Sequence, residues 1–286
     1  MADYSIVIPV YNEENVIGGV LDELGKPPGC REIIVVDDGS TDRTAERVRC
    51  RKATLLSHPR NRGYGAALKT GVRSVSTEYV VFFDADGQHR LKDLLCLTEV
   101  MESSDLVIGA RNRDPFEDGW RRLGRKILGA FVNWLVREKV PDFNSGLRAF
   151  RTEAFRSCLH LFPDGFSLST TSTVALYKMG YRVRAVPIEV NPRSGRRSSV
   201  RIFRDSLNVL MLIVNLTVLF EPLRFFLPPA LFSMAASVIY FALYCLWVRV
   251  HVTASMVLLF ITGLLIFFLG VVCEQISSVR RELNRR

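Results

Sequence analysis

The sequence has few cysteines and histidines, and none of them stands in a pattern typical of a metal site or a disulfide framework. Six cysteines and four histidines are spread over 286 residues. No two cysteines have CxxC spacing, and two of the six lie inside apolar runs. Zinc sites and redox motifs need closely paired cysteines, and small disulfide scaffolds need a higher cysteine density. These absences exclude a zinc-ribbon or disulfide-framework protein and are typical of a protein in a reducing cytosol.

Positive charge is in excess, but the features of a nucleic-acid-binding protein are missing. Lysine and arginine number 38 against 29 aspartate and glutamate, which gives a net charge of +9. The basic residues cluster at 111–126, 193–204 and 280–286, without an aromatic-interleaved RNA motif. Two of the clusters flank apolar runs. We therefore expect no nucleic acid as a partner, and anionic lipid headgroups or phosphates instead.

Long apolar runs are absent from the N-terminal part and are confined to the C-terminal end. The sequence begins MADYSIVIPVYNEEN, which lacks a charged leader with a long apolar core, so we expect no signal peptide. Residues 225–248 and 252–273 contain no charged side chain, and each run exceeds the roughly 20 residues that cross a bilayer. Only Arg249, Val250 and His251 separate them. This pattern predicts a transmembrane helical hairpin.

The apolar residues at 203–220 are interrupted by Asn208, Asn215 and Thr217, so this segment is too short to span a bilayer. An interfacial helix is our interpretation, and an ordinary buried helix is the alternative. Basic residues flank the hairpin on both outer sides, so the positive-inside rule predicts a cytoplasmic catalytic domain and C-terminus. The predicted organisation is a cytosolic domain at 1–200, an interfacial amphipathic helix at 201–222, and a transmembrane hairpin with a basic tail at 223–286.

In the first half of the chain, short apolar runs alternate with helical patterns. We predict strands at 5–10, 32–36, 53–57, 79–83 and 106–109, and helices at 14–24, from 42, at 65–75 and at 91–102. This alternation predicts an α/β fold with a Rossmann-like, mostly parallel sheet. Ligands of such sheets bind outside the carboxyl ends of the strands, and polar motifs follow three of the predicted strands.

The fourth predicted strand ends in Asp84-Ala85-Asp86. Two carboxylates after a strand end can converge in a turn, and hard oxygen ligands suit Mg²⁺ or Mn²⁺ rather than zinc. Gln88 and His89 follow closely and could add a ligand. A solvated turn is the alternative, because paired aspartates of this spacing are common.

The second predicted strand ends in Asp37 and Asp38, followed by Gly39 and three side chains that can cap a helix. A carboxylate at a buried strand end is costly without a partner. It could accept a hydrogen bond from a nucleobase N–H or a ribose hydroxyl. The alternative is a turn and cap, and the two roles could belong to different residues of the motif.

A glycine-rich segment, residues 61–67, precedes the third predicted helix and leads to Lys69 and Gly71. Glycines at a helix N-terminus allow a ligand to approach the backbone, and the helix end favours anions. The segment is not a Walker A loop, because no GK[ST] follows.

Together these motifs resemble glycosyltransferase family 2, which has the GT-A fold. The segments that carry the resemblance occur in order over roughly residues 4–200: PVYNEEN, VVDDGSTDRT, NRGYGAALKTG and FFDADGQH. Within the family, the chain is most similar to polyprenyl-phosphate glycosyltransferases, the group that includes dolichol-phosphate mannose synthase. This narrower resemblance depends on the segment DFNSGLR at 142–148, the arginines at 193–199 and the C-terminal hairpin.

The resemblance assigns expected roles. We expect the nucleotide-sugar to be bound by Pro9, Tyr11, Glu13, Asp37, Asp38, Lys69, Asp84, Ala85 and Asp86. The expected metal ligands are Asp84, Asp86 and Gln88. The residues expected to hold the acceptor phosphate are Arg111, Arg125, Arg193 and Arg196. The expected catalytic residues are Asp86, Asp142 and Arg148, with Arg148 near the sugar.

One part of the late basic segment departs from the resemblance. Related enzymes often have Gly-x-Ser-Lys where this chain has Arg197-Ser198-Ser199, so Arg196 or Arg197 takes the place of the lysine. Asp142 is the candidate general base, with a structural role in its loop as the alternative. An ionised phosphate acceptor has less need of a base than a hydroxyl, and arginine binds it with a two-pronged fork.

The resulting hypothesis is an inverting transfer of one sugar from a UDP- or GDP-sugar to undecaprenyl or dolichyl phosphate. The resemblance also implies a homo-oligomer, with related two-span enzymes suggesting a tetramer. The main alternative is a membrane-anchored glycosyltransferase that acts on a glycan or a lipid-linked oligosaccharide. An inactive scaffold and a nucleotidyltransferase are less favoured, because the paired aspartates are intact and no glycine-rich signature follows the first strand.

Overall fold

Strands and helices alternate through the N-terminal part of the chain, as the sequence predicts. The computed structural model describes residues 2–111, 119–165, 167–190, 202–247 and 252–283. The strands are β1 (Tyr4–Val10), β2 (Cys30–Asp37), β3 (Thr54–Ser57), β4 (Tyr79–Phe82), β5 (Leu106–Arg111), β6 (Arg148–Arg151) and β7 (Val183–Ile188). The helices between them are α1 (Ile17–Leu24), α2 (Thr44–Arg49), α3 (Tyr64–Ser74), α4 (Leu91–Val100), α5 (Gly119–Val136), α6 (Thr152–Ser157) and α7 (Leu168–Lys178).

The seven strands form one sheet in the order β3-β2-β1-β4-β6-β5-β7. All neighbours run parallel except β6, which is antiparallel to both β4 and β5. The predicted fold class, a mostly parallel α/β sheet, is therefore confirmed. Its parallel half places the carboxyl ends of β1, β2 and β4 at one edge, where the polar motifs follow.

The central strands are buried because their sequences are apolar on both faces. Every residue of β1 and of β4 is buried, which is typical of parallel strands covered by helices on each side. Helix α3 lies close to this sheet because it carries Gly71. A Cβ on that residue would collide with the side chain of Val7. Close packing of α3 fixes the position of the glycine-rich segment at its N-terminus.

The chain divides into two compact units, Met1–Asp205 and Ser206–Arg286. Three helices follow the sheet: α8 (Ile202–Phe220), α9 (Pro222–Trp247) and α10 (Ala254–Leu283). Helices α9 and α10 are consecutive in the sequence, run antiparallel and contact each other along their length. Ser233 and Ser237 of α9 donate hydrogen bonds to the carbonyl oxygens of Leu259 and Met256, each at 2.7 Å.

Two helices in this second unit are long and apolar enough to cross a membrane, α9 and residues Ala254–Val279 of α10. Only 11% and 17% of their most apolar windows are buried. Large apolar side chains such as Phe232 and Leu246 are therefore exposed, which distinguishes these helices from the core helices of a soluble protein. The predicted apolar runs are confirmed as helices, with α9 beginning three residues before the predicted run.

The later elements of the sheet domain were not predicted. Strand β6 has only four residues and begins with a fully buried arginine, Arg148. Strand β7 is half exposed. Neither sequence has the apolar run or the clear alternation that predicts a strand.

Candidate active site

A cavity of about 490 Å³ opens at the carboxyl ends of β1, β2 and β4. This is the position that the fold favours for a ligand. The residues that line it are Pro9, Val10, Tyr11, Glu13, Asp38, Asn61, Gly63, Tyr64, Ala67, Asp84, Ala85, Asp86, Asn144, Gly146 and Ser169. Of the nine residues expected to bind a nucleotide-sugar, seven are in this set, and Asp37 and Lys69 are not.

The loop after β1 is held by the loop after β2. Asn12 has a positive φ of 56°, and its backbone N–H donates to Ser40 Oγ at 2.9 Å. In return, Thr41 N donates to Asn12 Oδ1 at 2.8 Å. The N–H of Glu13 donates to Thr44 Oγ1 at 2.9 Å. These bonds fix the backbone directly after the cavity residue Tyr11.

Asp37 and Asp38 have different surroundings, although they are adjacent and both are buried. Asp37 Oδ1 accepts the N–H of Ser40 at 2.9 Å and so closes the turn after β2. Asp38 lines the cavity. Its carboxylate accepts a hydrogen bond from the N–H of Gly63 at 2.7 Å, and its Oδ1 is hydrogen-bonded to His58 Nδ1 at 2.6 Å. The turn role that the motif suggested belongs to Asp37, and the cavity role to Asp38.

Two distant parts of the chain lie against the carboxylate of Asp84. The hydroxyl of Tyr64, from the start of α3, donates to Asp84 Oδ1 at 2.9 Å. Burial, together with the charge of Asp84, raises the pKa of Tyr64 well above its ordinary value, so the phenol stays protonated. Gly146 lies so close that a Cβ there would collide with Asp84 Oδ2. The carboxylate is therefore held in one orientation.

Asp86, the second aspartate of this motif, also lines the cavity and accepts the N–H of Gln88 at 3.1 Å. Gln88 itself is not among the lining residues. His89 is buried beneath the motif, with Nε2 3.9 Å from Asp84 Oδ2 and its ring edge against Phe83. Burial lowers the pKa of His89 to about 4, so the imidazole is neutral at physiological pH.

Asp84 and Asp86 fit a particular kind of metal site. Among the residues that the structure describes, no group of three or more His, Cys, Asp or Glu side chains is placed to hold an ion. Mg²⁺ is commonly bound by one or two carboxylates, with substrate phosphates and water completing the octahedron. Asp84 and Asp86 therefore fit a divalent ion that is shared with a bound diphosphate, and not an ion caged by protein alone.

Arg111 and Asp142 form a two-bonded ion pair beside the cavity. Arg111 Nε donates to Asp142 Oδ2 at 2.7 Å and Nη2 donates to Oδ1 at 3.1 Å. Burial by itself would raise the pKa of Asp142, but the hydrogen bonds and charge of Arg111 outweigh it and lower that pKa below its ordinary value. A carboxylate with a lowered pKa is a weak base, so this pairing favours the structural alternative for Asp142 over general-base catalysis.

Arg148, expected near the sugar, has no solvent exposure. Its guanidinium donates to the carbonyl oxygens of Ser145, Ser169 and Phe143 at 2.6, 2.7 and 2.8 Å. It also donates to the hydroxyls of Ser172 and Thr173 at 3.2 and 3.0 Å. Burial lowers its pKa to about 10, which leaves it charged at neutral pH. Arg148 therefore links the loop at 143–145 to α7 through hydrogen bonds. A fully buried guanidinium with these partners is not placed for a direct contact with the sugar.

Lys69 also turns away from the cavity. Its ammonium donates to the carbonyl oxygen of Phe162 at 2.7 Å and pairs with Asp164. The glycines at the start of α3 face the same loop, because a Cβ on Gly63 or Gly65 would collide with residues 163–164. The glycine-rich segment thus allows close contact between two parts of the protein, where the sequence suggested contact with a ligand. Gly63 meets the cavity as well.

The remaining expected phosphate-binding arginines cannot be placed. Arg125 is on α5, but its side chain lies outside the described residues, as do Arg193 and Arg196. The cavity also contains residues that sequence reasoning did not assign to it. Tyr64, Asn144 and Gly146 stand within motifs that were recognised, whereas Ser169 of α7 has no sequence signal that we can identify.

The chain belongs to glycosyl transferase family 2, which matches residues 5–159. Residues 221–279 match a second family, the GtrB C-terminal hairpin. The sheet domain and the two apolar helices therefore each have a counterpart among known proteins, and transferase activity follows from the first match.

Two relatives illustrate the similarity along the chain. Glycosyltransferase AglJ of Haloferax volcanii is 29% identical, over 98% of this chain and 96% of that protein. UDP-N-acetylglucosamine--dolichyl-phosphate N-acetylglucosaminyltransferase of Methanococcus voltae is 33% identical, over 54% of this chain and 73% of that protein.

Among solved structures, glucosyl-3-phosphoglycerate synthase of Mycobacterium tuberculosis superposes with a TM-score of 0.61. It is 24% identical, with coverage of 76% of this chain and 79% of that one. This likeness establishes the GT-A-like fold.

Proposed function

We propose that this protein transfers a single sugar from a UDP- or GDP-sugar to a polyprenyl phosphate, with inversion at the sugar C1. The observation that carries the proposal is one cavity that unites Asp84 and Asp86 with Asp38, in a chain that also has two membrane-length helices. In this proposal residues 1–200 are the catalytic domain, residues 201–222 an interfacial helix, and residues 223–286 the anchoring hairpin.

The donor occupies the cavity at the carboxyl ends of β1, β2 and β4. Asp38, Tyr11 and Glu13 face the nucleoside, and Asp84 and Asp86 face the diphosphate. A cavity of about 490 Å³ is of the size that ligand sites usually have. Pro9 and Ala85 contribute the walls of the cavity beside these side chains.

A divalent cation, Mg²⁺ or Mn²⁺, is the proposed cofactor, and Asp84 and Asp86 would hold it. Such an ion supplies neutralisation of the charge that develops on a departing diphosphate. The hydrogen bond from Tyr64 orients Asp84 toward the ion, and the missing Cβ of Gly146 leaves room for the carboxylate. Gln88 is a further candidate ligand, although it is not among the residues that line the cavity.

The acceptor is an anionic lipid phosphate. Arg111 lies at the end of β5, with its guanidinium oriented by Asp142, and we propose that it binds the acceptor together with Arg125, Arg193 and Arg196. Relatives that are named as dolichyl-phosphate and undecaprenyl-phosphate sugar transferases support this class of acceptor.

In the reaction, an oxygen of the lipid phosphate attacks C1 of the sugar. The C1–O bond to the nucleoside diphosphate breaks, and that diphosphate leaves with the bonding electron pair. No proton needs to be removed from an acceptor that is already ionised at neutral pH, which agrees with the pairing of Asp142 to Arg111. An α-linked donor then gives a β-linked sugar on the lipid phosphate.

The catalytic domain and the C-terminus are proposed to face the cytoplasm, because the basic segments lie outside the hairpin and its turn has only Arg249 and His251. A C-terminal fluorescent-protein fusion should fluoresce, whereas a C-terminal alkaline phosphatase fusion should be inactive. The opposite pair of results would reverse the orientation. We also propose a homo-oligomer, which cross-linking in the membrane would test.

The transfer itself is tested with the purified full chain in detergent. Radiolabelled UDP- and GDP-sugars are offered with undecaprenyl or dolichyl phosphate and Mg²⁺ or Mn²⁺, and the lipid is extracted into organic solvent. We expect label in the organic phase for one donor, and its loss in the Asp86→Asn variant. No label in the lipid for any donor would refute the lipid acceptor, and unchanged label in Asp86→Asn would refute the metal assignment.

A further inference from the structure

A chain of hydrogen bonds runs from the cavity residue Asp38 through His58 to Thr70, and the mechanism above uses neither His58 nor Thr70. His58 Nδ1 is 2.6 Å from Asp38 Oδ1, and His58 Nε2 is 2.9 Å from the hydroxyl oxygen of Thr70. Asp38 and His58 are 2% and 8% exposed. Each of the three residues comes from a different element: the end of β2, the end of β3 and the helix α3.

Backbone contacts also hold His58 and Thr70 in position. His58 directly follows β3, and its N–H donates to the carbonyl oxygen of Asp37 at 2.8 Å. Thr70 is one turn beyond the glycine-rich start of α3, the helix that packs closely on β1. A histidine at this position therefore meets Asp38 on one side and α3 on the other.

The hydrogen bonds around Asp38 can be counted. A carboxylate has about four acceptor sites, two on each oxygen. Oδ1 is occupied by His58 Nδ1 and by the N–H of Arg62 at 2.9 Å. Oδ2 accepts the N–H of Gly63 at 2.7 Å. With respect to the described residues, one acceptor site remains, on Oδ2, and Asp38 lines the cavity.

We infer that His58 is a positioning residue that, with Thr70 behind it, fixes Asp38 so that Oδ2 accepts one N–H or O–H from the nucleoside of the donor. The inference rests on the proposed function, because it needs a nucleotide in this cavity. It names the ligand chemistry at this point as a hydrogen-bond donor, a ring N–H of the base or a ribose hydroxyl.

A purely structural role for His58 predicts something different. In that case, loss of the imidazole would lower the stability of the sheet edge and leave nucleotide affinity in the folded protein unchanged. A positioning role predicts weaker nucleotide binding in protein that is still folded. The Michaelis constant for the donor would then rise more than the turnover number falls.

The experiment measures the dissociation constants of UDP and GDP by calorimetry on the full chain in detergent with Mn²⁺. His58→Leu removes the contact with Asp38, and we expect the dissociation constant of the preferred nucleotide to rise tenfold or more. His58→Asn places an amide N–H near the position of Nδ1, and we expect it to recover affinity to within about threefold of the wild type. Thermal unfolding establishes that each variant is folded.

Thr70→Val tests the same chain where His58→Leu fails to fold. It leaves the imidazole without its second partner, and we expect a two- to fivefold rise in the dissociation constant. Thr98→Val is the matched control, because its buried hydroxyl donates to the carbonyl oxygen of Leu95 in its own helix and Thr98 is not among the residues that line the cavity. We expect this control to bind like the wild type.

The outcomes separate the two proposals. Wild-type protein that binds neither nucleotide would refute the proposed donor site itself. Wild-type protein that binds, with folded His58→Leu or Thr70→Val binding equally well, would overturn the role of His58 and leave the proposed function intact. A nucleotide methylated at its ring N–H, or lacking the 2′-hydroxyl, should lose affinity in the wild type and lose little more in His58→Leu.

Discussion

The side chains of Arg111 and Asp142 are joined by two hydrogen bonds, with Arg111 Nε 2.7 Å from Asp142 Oδ2. The carboxylate is nearly buried, and the guanidinium is partly open. This arrangement presents an oriented positive charge at the end of β5. It joins the candidate base of the DFNSGLR segment to an arginine expected to bind the acceptor phosphate.

Asp142→Asn should therefore impair acceptor binding more than donor binding. Removing one partner of a buried ion pair typically costs about 3–5 kcal/mol of stability. Because Arg111 is partly exposed, we expect a cost at or below the lower end of that range. We expect the Michaelis constant for polyprenyl phosphate to rise, while that for the nucleotide-sugar changes little. A general base would give another result, a fall in turnover with both constants unchanged.

The same pair predicts a pH dependence of stability. The pKa of Asp142 in the folded protein lies below its unfolded value of about 3.9. Its contribution is therefore complete above the unfolded pKa and is lost as the pH falls through the folded pKa. The difference in unfolding free energy between wild type and Asp142→Asn should be constant from pH 5 to 7 and should shrink below about pH 4. A difference that grows on acidification would contradict the pairing.

Tyr64→Phe should weaken metal binding without loss of the fold. It removes only the hydroxyl that donates to Asp84 Oδ1, and a hydrogen bond to a charged group contributes about 1.5–3 kcal/mol. We expect the affinity for Mn²⁺ in the presence of UDP to fall by about tenfold or more, measured by the electron paramagnetic resonance signal of the free ion. Tyr177→Phe is the matched control, since Tyr177 is not among the residues that line the cavity.

Gly146→Ala should abolish activity by displacing Asp84. A Cβ at this position would overlap the carboxylate, so one of the two must move. Gly19→Ala is the control, because a Cβ there has no neighbour within 4 Å. We expect the Gly19 variant to keep wild-type turnover and the Gly146 variant to lose metal-dependent turnover while its unfolding temperature changes little. Full activity in Gly146→Ala would show that the orientation of Asp84 is unimportant.

Arg148→Lys should destabilise the protein rather than change substrate binding. An ammonium has three donors on a flexible stem and cannot span the acceptors that the guanidinium reaches. We expect a loss of several kcal/mol in unfolding free energy, in line with the cost of unsatisfied buried polar groups, and an unchanged donor Michaelis constant in the folded fraction. A fully stable Arg148→Lys variant with low turnover would instead favour contact with the sugar.

The sequence predicted the parts of the site that depend on local pattern. Buried apolar strands and the polar residues after them fixed the position of Tyr11, Asp38 and Asp84, because the carboxyl ends of parallel strands meet at one edge. The two apolar runs were equally clear, since a run of more than 20 uncharged residues has few other structural explanations.

Contacts between distant segments could not be read in the same way. Arg148 looks like a catalytic arginine in sequence, but its acceptors are carbonyl oxygens and hydroxyls of segments that fold around it. Lys69 meets Asp164, 95 positions later in the chain. His58 carries no motif and becomes significant only beside Asp38. Each depends on tertiary packing that no local periodicity encodes.

The most direct test of the central claim is the chemical balance of one turnover. The donor carries an isotope label in both its nucleotide and its sugar. Mass spectrometry then quantifies the released nucleotide and the lipid product from the same reaction. We predict that one nucleoside diphosphate is released for each lipid product formed. Each lipid product should carry one sugar, linked to the lipid by a single phosphate. Release of a nucleoside monophosphate with a lipid diphosphate-sugar, or several sugars on one lipid, would contradict the account.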